Sequence, residues 1–323
     1  MQLRALRRWG ALLLVTLVAC PAMTADAAAP STRDRAPTRV QAARTGTGTA
    51  VAKRARPRRA RRAPARRARR RGPVGVVYAR NAIVVDPVTQ QVLFEKQSGQ
   101  TVPIASLTKL MTALVFLEQK PDLRRVAEVT RAEISGGGHT QLRNHEQVSL
   151  YDLLHMGLMN SDNVATRVLA RETGLTAGAF VARMNARAAE LGLANTRYVE
   201  FTGLDERNVS TAADVAKLLR VAADHYLIRE ITTTPTYVFT SERPRRTHQI
   251  VNSNRLVRGN RYEVNCGKTG FISEAGYCVA TWVRDRGRDL ITVVLGAPTN
   301  ATRFADVVRL VQRTETLSVT QAR

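Results

Sequence analysis

Three short polar motifs carry the residue types needed for nucleophilic chemistry: Ser106-Leu107-Thr108-Lys109, Ser161-Asp162-Asn163 and Lys268-Thr269-Gly270. A serine hydroxyl becomes a nucleophile when a neighbouring base takes its proton. Residues three apart on a helix lie on the same face, so Ser106 and Lys109 are predicted to be neighbours. The helix around them is apolar on nearly every side, and burial favours the neutral amine, which can accept that proton. The alternative, a capping serine with a surface lysine, would leave Lys109 among apolar neighbours.

The third motif lies on a predicted strand, directly ahead of Phe271. Gly270 has no side chain, so the backbone of a ligand could approach this edge and pair with it as an added strand. Lys268 and the Thr269 hydroxyl would then hold a substrate carboxylate or assist proton movement. An ordinary surface strand is the competing interpretation.

The middle motif lies at the junction between Met159-Asn160 and a predicted helix. Ser161 is placed to cap that helix and Asp162 to interact favourably with its dipole. A capping role is compatible with Ser161 relaying a proton and with the Asn163 amide binding a peptide.

The elements that position these motifs follow from the apolar periodicity. A β-hairpin is predicted around the turn Asp86-Pro87-Val88-Thr89. Helices are predicted over 106–117, 150–173, 176–191, 211–226 and 302–312, and strands over 237–240, 263–269, 276–284 and 290–295. This order predicts an α/β fold of the α+β kind. An antiparallel sheet completed by both ends of the folded part, residues 74–323, is flanked by helices and carries an all-helical insertion over about 106–235.

The first 27 residues have the pattern of a secretory signal peptide. Three arginines precede an apolar run over 11–19, which is too short for a stable membrane-spanning helix, and Ala25-Asp26-Ala27 offers a cleavage site. Leu17-Val18-Ala19-Cys20 also resembles a lipobox, so lipid anchoring at Cys20 is the alternative to ordinary cleavage. Either route predicts an exported, periplasmic protein.

Residues 28–73 are predicted to be a disordered basic linker, because they contain almost no large apolar side chain. Residues 1–71 hold 19 basic and two acidic side chains, which is +17 of the net charge of +24, so the remainder carries only +7. The high charge therefore describes a tail and no nucleic-acid-binding fold. For an exported chain, anionic envelope polymers or lipids are the expected contacts, and a solvated linker without a partner is the alternative.

Cysteine usage agrees with export. Removal or lipidation of Cys20 leaves the pair Cys266 and Cys278. A hairpin centred near Ile272 would place these two residues opposite each other, which predicts a disulfide. Two reduced thiols in the core are the alternative.

The three motifs, in this order and on these elements, resemble the set found in serine β-lactamases and penicillin-binding proteins. Over residues 74–311 the chain is similar to the serine D-alanyl-D-alanine peptidases of low molecular mass. Three runs resemble family signatures: Phe201-Thr-Gly-Leu-Asp-Glu-Arg-Asn-Val-Ser, Asn252-Ser-Asn-Arg-Leu and Gly267-Lys-Thr-Gly-Phe-Ile-Ser-Glu-Ala-Gly-Tyr-Cys. The last one resembles the D-alanyl-D-alanine endopeptidase branch in particular. Ending soon after the closing helix also favours that branch over carboxypeptidases with an added β-domain.

The resemblance implies a penicillin-binding-protein-like fold and hydrolysis of D-alanyl bonds in peptidoglycan peptides through an acyl-enzyme, with β-lactam antibiotics as covalent inhibitors and without a cofactor. It implies a role for each motif residue. Ser106 is the nucleophile, Lys109 the base and Ser161 the proton shuttle, while Asn163 and Lys268 contact the substrate and the backbone N–H groups of Ser106 and Phe271 form the oxyanion hole. Carboxypeptidase activity is the alternative within the family.

Three rival functions compete with this interpretation. A class A β-lactamase needs a carboxylate for its deacylating water, and Glu190-Leu-Gly-Leu-Ala-Asn195 has one residue too many for that loop. A zinc peptidase is disfavoured because no metal-binding spacing occurs among the histidines, which are His139, His145, His155, His225 and His248. A non-catalytic wall-binding or scaffolding protein is the rival from another class, and the intact motifs argue against it.

Overall fold

A computed structural model describes residues 75–259 and 261–321 of the chain, and the side chains among them up to residue 314. These residues lie within one compact unit spanning 68–323. The predicted signal peptide, 1–27, and the predicted linker, 28–73, lie outside the described residues.

The main sheet has five antiparallel strands: β1 (Asn81–Val85), β2 (Val92–Lys96), β9 (Glu263–Ile272), β10 (Gly276–Asp285) and β11 (Arg288–Ala297). Their order in the sheet is β2-β1-β11-β10-β9. The amino-terminal hairpin therefore pairs with the last strand, Asn81 opposite Leu295. Both ends of the folded part complete one sheet, as predicted.

The helical block lies between these two parts of the sheet. It contains a 3₁₀ segment (Ala105–Leu107), a π-helical turn (Met156–Asn160) and seven α-helices, namely α1 (Thr108–Glu118), α2 (Arg131–Ile134), α3 (Leu150–His155), α4 (Asn163–Arg171), α5 (Ala177–Glu190), α6 (Ala212–Asp224) and α7 (Tyr226–Thr233). Helix α1 is buried on all sides over Thr108–Leu117, as its apolar composition predicts. Helix α8 (Asn300–Gln321) follows the last strand and is longer than predicted.

Three small antiparallel pairs complete the fold. They are β3 (Val102–Pro103) with β6 (Val209–Ser210), β4 (Val126–Glu128) with β5 (Gln147–Ser149), and β7 (Thr236–Thr240) with β8 (Thr247–Val251). The sequence predicted β7 alone, because the other strands are too short or too polar to show a clear alternation.

The sheet buries both of its faces, because side chains alternate along each strand. In β1, Ile83 packs with the helical block while Ala82 and Val84 pack in a second core. That second core lies beneath α8, which contributes Phe304, Val307, Leu310 and Val311. This sandwich of helices around a sheet confirms the predicted α+β fold class.

The predicted disulfide is wrong. The β9–β10 turn places Ile272 opposite Gly276, so that Cys278 pairs with Gly270 and Cys266 pairs with Trp282. Four residues of strand, on the order of 13 Å, separate the two cysteines along the register, whereas a disulfide needs Cα atoms within about 7 Å. Both are free thiols buried in the core.

Candidate active site

Ser106 lies in the 3₁₀ segment that leads into α1. The preceding residue, Ala105, has a left-handed φ of 49°, a conformation that costs energy for a residue with a Cβ. This bend ends β3 and turns the chain into the helix. Ser106 Oγ accepts a hydrogen bond of 3.1 Å from Lys109 Nζ, so the two residues are neighbours, as their spacing predicts.

The Lys109 amine is held by two further acceptors. Nζ donates to Asn163 Oδ1 and to the Thr202 carbonyl oxygen, each at 2.6 Å. The side chain is 2% exposed. Burial lowers the pKa of Lys109 to about 7, against the opposing charges of Glu200 and Asp162. Near neutral pH a large share of this amine is therefore uncharged and able to take a proton from the serine.

A break in the predicted helix 150–173 brings the second motif to the site. The π-helical turn ends at Ser161, which has a left-handed φ of 68°. Asp162, and not Ser161 as predicted, caps α4 by accepting a hydrogen bond from Ala165 N. Freed from the cap, Ser161 Oγ accepts a hydrogen bond of 2.7 Å from Lys268 Nζ.

Asn163 begins α4 and joins two walls of the site. Its Oδ1 accepts from Lys109, and its Nδ2 donates to the Gly137 carbonyl at 2.9 Å. The amide is thereby oriented with its oxygen toward the lysine and its nitrogen toward the Gly136-Gly137-Gly138 loop.

Lys268 faces Ser161 from β9 and is almost fully buried. Burial lowers its pKa well below the ordinary lysine value, and the nearby charges of Lys109 and Arg303 add to this effect. Two buried lysines with lowered pKa values are therefore each hydrogen-bonded to a serine hydroxyl, Lys109 to Ser106 and Lys268 to Ser161.

Strand β9 is an edge strand of the main sheet, with β10 on one side only. Gly270 lies so close to the nucleophile segment that a Cβ added there would be 3.0 Å from both Ser106 N and Ile104 O. A side chain at this position would therefore displace the backbone of Ser106. The predicted oxyanion-hole residue Phe271 follows directly, with its ring half exposed and stacked on Tyr277 at 4.2 Å.

Two residues outside the predicted set of site residues support the Lys268-Thr269-Gly270 strand. Ser253 Oγ lies 2.6 Å from Thr269 Oγ1 and donates to the Met159 carbonyl, which links the strand to the π-helical turn. Arg303 of α8 is buried and donates to the carbonyl oxygen of Gly270 at 3.0 Å. Ser253 belongs to the run Asn252-Ser-Asn, which resembles a family signature, whereas Arg303 carries no local signal in the sequence.

A cavity of about 380 Å³ lies outside this group of residues. Its lining includes Glu133, Arg167, Phe180 and Phe201, and none of the predicted site residues. In 75–259 and 261–321 no three His, Cys, Asp or Glu side chains are grouped so as to hold a metal ion. Across the same ranges, every helix is too short or too polar to cross a membrane.

Comparison with known proteins identifies the family. Residues 68–299 match peptidase S11, described as D-alanyl-D-alanine carboxypeptidase. The chain belongs to this family. It is therefore a serine-type peptidase, and the resemblance stated from its motifs is confirmed.

Relatives of this S11 peptidase carry two kinds of name. It is 39% identical over 242 residues to a D-alanyl-D-alanine endopeptidase of Pseudomonas aeruginosa, covering 74% of this chain and 78% of the relative. The endopeptidase of Escherichia coli is 35% identical over 232 residues, which cover 71% and 75% of the two chains. The D-alanyl-D-alanine carboxypeptidase DacF of Bacillus subtilis is 30% identical over 239 residues, covering 72% and 61%.

Solved structures agree with the fold. The Streptomyces K15 DD-transpeptidase superposes with a TM-score of 0.70 at 24% identity, covering 75% of this chain and 98% of that one. Penicillin-binding protein D2 of Listeria monocytogenes, in its cefotaxime-bound form, gives a TM-score of 0.63 at 29% identity and covers 74% and 98%.

Proposed function

We propose that this S11 peptidase is an exported D-alanyl-D-alanine endopeptidase that cleaves peptidoglycan cross-links through an acyl-enzyme on Ser106. One observation carries the proposal. A buried lysine amine with a pKa of about 7 lies 3.1 Å from the serine hydroxyl, which is the arrangement that a serine nucleophile needs at neutral pH.

Acylation begins when the neutral amine of Lys109 takes the proton of the Ser106 hydroxyl. Oγ then bonds to the carbonyl carbon of the D-alanyl residue, and the carbonyl oxygen acquires negative charge. The backbone N–H groups of Ser106 and Phe271 are the proposed donors to that oxyanion. The close approach of Gly270 to Ser106 N supports this pairing, because it brings the two segments together.

Collapse of the tetrahedral species breaks the carbon–nitrogen bond. The leaving amine must gain a proton, and we assign its delivery to Ser161, whose hydroxyl accepts a hydrogen bond from Lys268. The proton that Lys109 took from Ser106 then replaces the one that Ser161 gives up, so Lys109 returns to its neutral form. The acyl-enzyme is then hydrolysed by water, which restores the Ser106 hydroxyl and releases the shortened peptide. Asn163, Lys268 and Thr269 contact the bound peptide, which pairs with the open edge of β9 as an added strand.

Two activities compete within the family. Removal of a terminal D-alanine and cleavage of a cross-link break the same kind of bond, and they differ in the leaving group, which is free D-alanine in one case and a second stem peptide in the other. Cross-link cleavage is proposed first because relatives named endopeptidases are 39% and 35% identical, against 30% and 31% for two named carboxypeptidases. Covalent acylation of Ser106 by β-lactams is expected from the same mechanism.

The deciding experiment is digestion of purified, cross-linked peptidoglycan with the full chain, followed by separation of the products by mass. Conversion of cross-linked dimers into monomers supports the endopeptidase. Release of D-alanine from pentapeptides alone would establish the carboxypeptidase. Ser106→Ala is the inactive variant, and Ser135→Ala, at an exposed serine, is the matched control. The absence of both products and of a penicillin adduct would refute the enzyme and leave a wall-binding protein.

Export and the basic segment belong to the same proposal. The arginines and the apolar run of residues 1–19 support secretion to the periplasm, by cleavage or with a lipid on Cys20. The arginine-rich stretch 53–71 would then interact with anionic envelope polymers or lipids. Mass analysis of the mature protein distinguishes the two routes, and salt-dependent binding of the full chain to anionic vesicles tests the stretch.

A further inference from the structure

A second segment of the chain contacts the Ser106 segment, and it contains the run beginning at Phe201 that resembles a family signature. Residues 200–208 form the second half of the connection between α5 and β6, and they accept hydrogen bonds from residues on both sides of Ser106. The Asn208 carbonyl accepts from Ile104 N at 3.1 Å, and the Phe201 carbonyl accepts from Thr112 Oγ1 at 2.6 Å. We call residues 200–208 the clamp segment.

The clamp segment holds both members of the predicted nucleophile–base pair. Its Thr202 carbonyl accepts from Lys109 Nζ at 2.6 Å. Its Gly203 has a left-handed φ of 85°, and a Cβ there would overlap the carbonyl oxygen of Ala105, the residue before the serine. Small displacements of this segment would therefore move Lys109 and Ser106 relative to each other.

The carboxylate of Glu200 organises the clamp segment from within. One oxygen accepts from Thr202 N at 2.5 Å and from Thr202 Oγ1 at 2.6 Å. The other accepts from Gly203 N and, at 2.8 Å, from Asn208 Nδ2. Four donors converge on one carboxylate, and charge-assisted bonds of this kind are stronger than bonds between neutral groups.

We infer that Glu200 is a positioning residue for catalysis, which acts on the base Lys109 through the Thr202 carbonyl and through its own negative charge. The inference rests on the proposed acyl-enzyme function. Glu200 does not contact Ser106, so it acts through other groups.

The charge of Glu200 also bears on the titration of Lys109. Four charged or titratable groups face this amine: the carboxylates of Glu200 and Asp162, the guanidinium of Arg167 and the amine of Lys268. Glu200 is the strongest influence that opposes desolvation. Removing its charge lowers the pKa of Lys109 further, so the neutral base would persist to lower pH.

The test is the pH profile of acylation by a fluorescent penicillin, measured on the full chain. Glu200→Gln removes the charge and replaces one carboxylate oxygen with an NH₂ group, which cannot accept hydrogen bonds from the donors that surround it. We expect acylation at pH 8 to fall about tenfold or more, because the base is displaced. We also expect the acid limb of the profile, where the rate falls as the base is protonated, to shift to lower pH by roughly half a unit. Glu200→Asp keeps the charge and both acceptors, and should restore most of the rate with the limb unmoved.

Glu206→Gln is the matched control, because it removes the same charge from an exposed residue of the same segment. It should leave both the rate and the limb as in the wild type. The inference is overturned if Glu200→Gln acylates within twofold of the wild type. It is equally overturned if the acid limb of Glu200→Gln stays in place and Glu200→Asp loses as much of the acylation rate as Glu200→Gln. That pattern would show that Glu200 only stabilises the fold. If Glu200→Gln does not fold, Glu200→Asp of normal thermal stability decides: acylation near the wild-type rate with the limb in place supports the inference, and a tenfold or larger loss of rate overturns it. Failure of the proposed function is separate, because the wild type would then form no adduct.

Discussion

The rate of acylation should follow the titration of Lys109, and its magnitude can be worked out from the site. Only the neutral amine accepts the Ser106 proton, and burial lowers the pKa of Lys109 from 10.5 to about 7. The neutral fraction is then roughly nine tenths at pH 8 and about one tenth at pH 6. Acylation should therefore fall about tenfold between these values and level off above pH 8. The rate falls toward acid pH because protonation of Lys109 removes the base.

An ordinary exposed lysine gives a different curve. With a pKa near 10.4 it is less than about 1% neutral at pH 8, and the rate would rise about tenfold per pH unit through the whole range without a plateau. The assay is the second-order rate of fluorescent-penicillin incorporation between pH 5.5 and 9. An acid limb centred above pH 9, or a rate independent of pH, would refute the role given to burial.

Substitution of the base gives the companion measurement. Lys109→Arg keeps the positive charge but supplies a guanidinium that does not lose its proton in proteins. We expect acylation to fall by at least about a thousandfold, in the upper range for general-base catalysis. Lys217→Arg, on the half-exposed side chain of α6, is the matched control. Retention of more than a tenth of the rate by Lys109→Arg would show that another group takes the serine proton.

Three further outcomes are expected. Gly203→Ala should lower the free energy of unfolding by about 3 kcal/mol or more, while Gly192→Ala, with a similar φ of 66° but open space around it, should cost only about 1 kcal/mol; urea unfolding of both variants tests this. Burial raises the pKa of Glu146, but the hydrogen bond from His248 and further partners outweigh burial and hold that pKa below its usual value. The folded form should therefore lose stability as the pH falls below about 4.5. The loss should be smaller in Glu146→Gln, and equal losses in the wild type and the variant would refute the assignment. The two cysteines of β9 and β10 should resist alkylation until the protein unfolds, and a reductant should leave the melting temperature unchanged; peptide mapping would detect a disulfide if one existed.

Much of the fold and site could be predicted from local sequence, because the signals are short in range. Apolar periodicity located the amino-terminal hairpin, the buried helix α1 and the strands around Lys268. The three-residue spacing of Ser106 and Lys109 predicted their contact, since a helix turn brings such residues together. The order of the elements predicted that both ends of the folded part share one sheet.

Other features depend on contacts between distant segments. The helix predicted over 150–173 breaks at Ser161, where the Met159 carbonyl accepts from Ser253 instead of continuing the helix. The disulfide prediction failed because the register of β9 and β10 depends on where the turn forms, and a shift of a few residues separates two cysteines.

The sequence by itself therefore determined which residues are proposed to carry the chemistry: the serine, the lysine three residues after it and the strand beside them. Tertiary structure decided how that chemistry is tuned. The pKa of Lys109 depends on desolvation by the surrounding helices and on the charge of Glu200, 91 residues further along the chain. Burial and electrostatic interaction act through space, so a pattern of neighbouring residues does not encode them.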